Sequence, residues 1–119
     1  MARVVALIPD LLFGSRVQEM LTSAGHQVTL CADARGARSQ AAGSDVFVID
    51  LAGGSLDGVG LVRSMLEAGE LPSTRTLAFY AHVDVDTRRR AESAGFDLVV
   101  PRSRMAREGS ELVTRLASG

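Results

Sequence analysis

A chain of 119 residues with 46% apolar content can bury one core and has no room for two, so residues 1–119 are read as a single domain. Its 13 basic and 14 acidic residues leave a net charge of −1, which excludes bulk attraction to nucleic acid or to an anionic membrane surface. All the basic residues are arginine, and a lone cysteine, Cys31, excludes an internal disulfide and points to a reducing cytoplasm.

The run Arg3 to Ile8 predicts a first strand, ended by Pro9-Asp10 and too short for a signal peptide or a membrane span. Phe13, Val17, Met20, Leu21 and Ala24 then recur at helical spacing up to Gly25, a helix stop, with His26 expected at the surface beside it. Val28 to Cys31 predicts a second strand, with Cys31 a packed strand residue, and Ala34 to Ala42 a helix rich in alanine with little large apolar surface. Val46 to Ile49 predicts the third strand, and Val59, Leu61, Val62, Met65 and Leu66 the helix after it. Thr76 to Tyr80 predicts a fourth strand, Thr87 to Ala94 a helix closed by Gly95, and Leu98 to Val100 a fifth strand. Ser110 is positioned to cap a last helix through Leu112, Val113 and Leu116. Strand and helix alternate throughout, and short apolar strands are expected where both faces are covered, so the fold class is α/β with a doubly wound parallel sheet.

Within this frame Asp50 is the first functional suspect. It closes the third strand just before the loop Leu51-Ala52-Gly53-Gly54, and ligands of open α/β sheets bind outside the carboxyl ends of the strands. Seven residues on stands Asp57-Gly58, read by itself as a loop and helix-start signal. Gly53-Gly54 either lets backbone approach a ligand or makes a tight turn. Asp10 is open to two readings, an N-cap of the first helix or a metal ligand.

The spacing of Asp50, Asp57 and Gly58 resembles the receiver domain of bacterial response regulators, whose phosphate-accepting Asp closes the third strand. The resemblance spans nearly the whole chain. It implies a flavodoxin-like sheet of five strands in the order 2-1-3-4-5 with helices on both faces. It implies phosphate acceptance on Asp50 and a magnesium site made by Asp10, Asp50 and the backbone carbonyl of Ala52. Partners implied are a histidine kinase or another signalling protein, with a homodimer through the fourth helix, fifth strand and fifth helix.

Five positions depart from the family's pattern. Pro9 replaces one of two acids ending the first strand, which leaves a weaker site for magnesium, and Gly54 stands where Pro is usual. Tyr80 occupies the place of the small hydroxyl residue on the fourth strand, and Arg102 that of the lysine on the fifth, with Pro101 before it. Val99 replaces the family's switch aromatic. A guanidinium keeps the charge but not the compact shape of an ammonium. If the pocket is closed, Arg102 is expected to pair with Asp50 or Asp10, with Tyr80 packed over the crevice. Removing Arg102 would then cost roughly 3 to 5 kcal/mol if burial is complete.

The remaining polar residues support less. His82 is read as a solvated loop residue. Arg88-Arg89-Arg90 spread around a helix beside Asp84, Asp86 and Glu92, so no nucleic acid is expected there. No nucleotide-binding glycine fingerprint follows the first strand, and a Rossmann enzyme is not expected. Three readings result: a stand-alone phosphoacceptor of a two-component phosphorelay, a phosphorylation-independent pseudo-receiver that binds partner proteins, and a small flavodoxin-like cofactor carrier. The first two make the chain a cytoplasmic signalling protein and not an enzyme.

Overall fold

A computed structural model describes residues 1–53, 56–81 and 83–119. The elements alternate: β1 (Arg3–Leu7), α1 (Leu11–Ser23), β2 (Gln27–Cys31), α2 (Ala34–Ala41), β3 (Val46–Asp50), α3 (Gly58–Glu67), β4 (Arg75–Tyr80), α4 (Val85–Ala94), β5 (Leu98–Pro101) and α5 (Arg102–Ser118). The strands form one parallel sheet in the order β2-β1-β3-β4-β5, the flavodoxin-like arrangement expected.

Strand alternation divides the interior into two cores. Val46 and Val48 of β3 and Leu77 and Phe79 of β4 pack with Phe13, Val17 and Leu21 of α1 and with Met105, Leu112 and Val113 of α5. Phe47, Ile49, Ala78 and Tyr80 face the other way, onto Ala37 and Ala41 of α2, Val59, Val62 and Met65 of α3, and Ala91 of α4. Every residue of β3 is buried, because it lies between β1 and β4 and is covered on both faces. The edge strand β2 departs from the expectation of double cover: no residue in it is fully buried. Its neighbour α2 offers only alanine to the core.

Two expectations are corrected. The last helix starts at Arg102 and not at Ser110, because Met105 and Gly109 continue the buried stripe of Leu112 and Val113 toward the N-terminus. His26 is buried and not at the surface. Its Nδ1 accepts from the Ala2 N–H at 3.1 Å, and its Nε2 lies 2.9 Å from Thr114 Oγ1. Since Thr114 Oγ1 donates to the Ser110 carbonyl, Nε2 carries the hydrogen. The ring thus ties the start of the chain to α5. Gly95 ends α4 with φ 103°, a left-handed conformation that suits glycine, as the helix stop predicted.

Candidate functional site

Asp50 is the last residue of β3 and is 2% exposed. Its Oδ1 accepts from the Ala52 N–H at 2.7 Å, folding the chain back into a short turn beyond the strand. Burial pushes this carboxyl above the ordinary carboxylate range; the Ala52 N–H and the Arg102 charge pull against it, and the Asp10 charge adds to it.

Asp10 sits at the neighbouring end of the sheet as the N-cap of α1. Its Oδ1 accepts from the N–H groups of Leu12 at 3.1 Å and Phe13 at 3.2 Å, which satisfies two donors at the helix start. Its Oδ2 is held by Arg102 Nη2 at 3.0 Å. The Phe13 N–H and then the guanidinium hold this carboxyl below its usual range. The capping reading of Asp10 is therefore realised, and Arg102 has taken Asp10 in preference to Asp50.

Phe13 accounts for that preference. The Arg102 guanidinium lies 4.1 Å from the centre of the Phe13 ring, which in turn meets Phe79 edge to face at 5.2 Å. Stacking on Phe13 sets the fork beside Asp10, since the same ring belongs to the helix turn that Asp10 caps. Phe13 had been legible only as a member of an apolar stripe. The Arg102 and Asp10 side chains are 38% and 45% exposed, so the cost estimated for a fully buried pair does not apply.

The other candidate residues are placed as follows. Tyr80, 6% exposed, lies in the core shared with α3 and α4, on the opposite face of the sheet from Phe13 and Phe79, and Val99 packs against the same core. Ala52 meets Asp50 through its amide. Asp57 caps α3 by accepting from the Gly60 N–H at 2.9 Å and lies 3.7 Å from Arg90 Nη2, in keeping with a helix-start role. Gly54 and His82 fall outside the described residues. Among the described residues no three acidic, histidine or cysteine side chains are grouped to hold a metal ion.

The two acids have opposite pH signatures. The contribution of Asp50, whose value is raised in the fold, is complete below the ordinary carboxylate range and is lost as pH rises through that elevated value. The contribution of Asp10, whose value is lowered, is present above the ordinary range and lost as pH falls through the lowered value. Asp50→Asn is thus expected to raise the urea midpoint at neutral pH and to change it little in acid, while Asp10→Asn lowers it at neutral pH. An Asp50→Asn chain less stable than the native one at neutral pH would contradict this assignment. Because Arg102 holds Asp10, a stabilising Asp50→Asn does not by itself distinguish an open pocket from a closed one.

No known family profile matches the sequence, and no curated protein matches it. Solved structures do. The receiver domain of the Francisella response regulator 1452 matches at 18% identity with a TM-score of 0.85, covering 99% of this chain and 98% of that one. The chemotaxis response regulator CheY4 of Vibrio cholerae matches at 20% identity and a TM-score of 0.82, covering 98% of both chains. The BeF3-activated DrrB receiver domain matches at 18% identity and a TM-score of 0.84, covering 100% of this chain and 99% of that one. At these identities the likeness is one of fold: the chain has the receiver-domain fold of two-component response regulators over its whole length.

Proposed function

We propose that the chain is a receiver-fold signalling domain that acts by binding partner proteins, without accepting phosphate. The observation that carries this reading is the Arg102 guanidinium on Asp10 Oδ2. Phosphoryl transfer to a carboxylate brings two anions together, and the family's answer is a divalent cation held by oxygen ligands. The donor set here does not fit such an ion. Both Asp10 oxygens are engaged, one by α1 and one by Arg102, and one Asp50 oxygen is engaged by Ala52. Tyr80 lies in the core in place of a small hydroxyl at the pocket.

The partner is a histidine kinase or another signalling protein, and α4, β5 and α5 supply the face for it or for a second copy of the chain. Nucleic acid is not a partner in this reading: Arg88 pairs with Glu92 and Arg90 with Asp57, both at 3.7 Å, which spends much of the basic run. No described helix is long and apolar enough to cross a membrane. The reading keeps the protein in the cytoplasm and assigns it no enzymatic turnover.

Treatment with acetyl phosphate or phosphoramidate in the presence of magnesium, followed by intact-mass measurement, tests the reading. No adduct is expected. A gain of one phosphoryl group that disappears in Asp50→Asn would overturn it in favour of a phosphoacceptor.

A further inference from the structure

We infer that Arg102 is the resident counter-ion of the Asp10 and Asp50 pair, so that this pocket takes no divalent cation as it stands and acquires a site for one when the guanidinium is removed. The inference rests on the reading above and concerns how the same pocket is held.

Asp10, which caps α1 beyond β1, and Asp50, which ends β3, stand at the same end of adjoining strands, where one positive charge offsets their like charges. The Arg102 guanidinium is bonded to Asp10 Oδ2 and rests on Phe13 at that same end of the sheet. A single guanidinium therefore supplies part of the positive charge that a divalent ion would bring. It also fills the oxygen on which an ion would depend.

Arg102 is held where it is by covalent structure as well as by charge. Pro101 pairs in register with Tyr80 at the end of β5, with φ −65° and ψ 151°, and Arg102 is the first helical residue after it. The backbone is thus fixed on both sides by sheet and helix, and Phe13 supports the planar head from beneath. A counter-ion tethered in this way is always at high local concentration beside Asp10. A free cation has to compete with it and to give up bound water.

Without the guanidinium the donor count changes. Asp10 Oδ2 is released, Asp50 remains, and two carboxylates with several retained waters suffice for a magnesium or manganese site. The chain would then carry the acid pair of a metal site with its internal competitor removed.

Magnesium titration of the full chain, followed through the carboxylate carbon resonances of Asp10 and Asp50, tests the inference. The native chain is expected to show no saturable shift. Arg102→Ala is expected to gain one, together with a rise in thermal midpoint on adding magnesium, and both gains should vanish in Arg102→Ala/Asp50→Asn. If Arg102→Ala does not fold, Arg102→Gln carries the same test, since it keeps a donor for Asp10 and loses the charge. A saturable shift in the native chain equal to that of the variant, or none in the folded variant, would overturn the inference. A phosphoryl adduct on the native chain would instead overturn the functional reading, so the two failures are told apart.

Discussion

Phe79→Ala is expected to destabilise the domain by about 3 to 5 kcal/mol, the largest effect of any substitution near the site. Phe79 is fully buried in β4, between the α1 and α5 helices and the sheet. Truncation removes the ring's transfer free energy and opens a cavity in a close-packed interior. It also removes the edge-to-face pair with Phe13, worth roughly 0.5 to 1.5 kcal/mol beyond the buried area. Domains of this kind hold only about 5 to 15 kcal/mol in total, so the variant should be marginal. Phe79→Leu keeps much of the volume and is expected to cost less. Urea unfolding of both, with the Phe13 and Arg102 side-chain resonances followed in the folded state, checks the prediction. A loss below roughly 1 kcal/mol in Phe79→Ala would mean that the core collapses around the gap and that Phe13 stands without Phe79.

Gly58→Ala is expected to cost about 1 to 3 kcal/mol, although alanine is ordinarily the better helix former. A Cβ at this position would lie 2.6 Å from Ile49 Cγ2 and 2.7 Å from Leu51 Cδ2. Both neighbours are buried, Ile49 within the core and Leu51 at the margin of a cleft beside the start of α3. Relief requires α3 to move away from Ile49 or the Leu51 side chain to swing aside, and either disturbs the turn in which Ala52 meets Asp50. The stability loss should therefore come with backbone amide shifts at Asp50 and Ala52. Unfolding midpoints within error of the native chain would show that α3 can shift freely, against the close contact seen here. The Asp57-Gly58 pair thus has a division of labour: the acid caps the helix and the glycine lets it approach.

How much of this was open to reading depends on the residue. β3 was legible because complete burial makes its apolar run unbroken, and Asp50 stood out as the one acid at its end. The start of α5 was not, since its first two turns carry only Met105 as a large apolar residue and Gly109-Ser110 imitates a helix start. His26 has partners 24 and 88 residues away, and no local pattern points to them. Spacing from Gly95 finds Tyr80 at the end of β4, but the pleat decides its face: Ala78 and Tyr80 lie on one side, Leu77 and Phe79 on the other. That Arg102 would meet one of two acids followed, for a closed pocket, from the place that the resemblance gives it. Which acid it meets was decided by Phe13, whose ring gives the guanidinium a surface to rest on.

The strand order also bears on how the chain reaches this state. β1 lies inside the sheet, yet its pairing with β3 joins positions as far apart as Arg3 and Asp45, 42 residues along the chain. Closing such a loop costs entropy before the parallel pairing returns anything, and assembly dominated by distant contacts is slow. Until that closure one edge of the strand destined for the deepest burial, Val46 to Ile49, has no partner. An unpaired apolar strand of this kind is where a folding chain most readily associates with other chains.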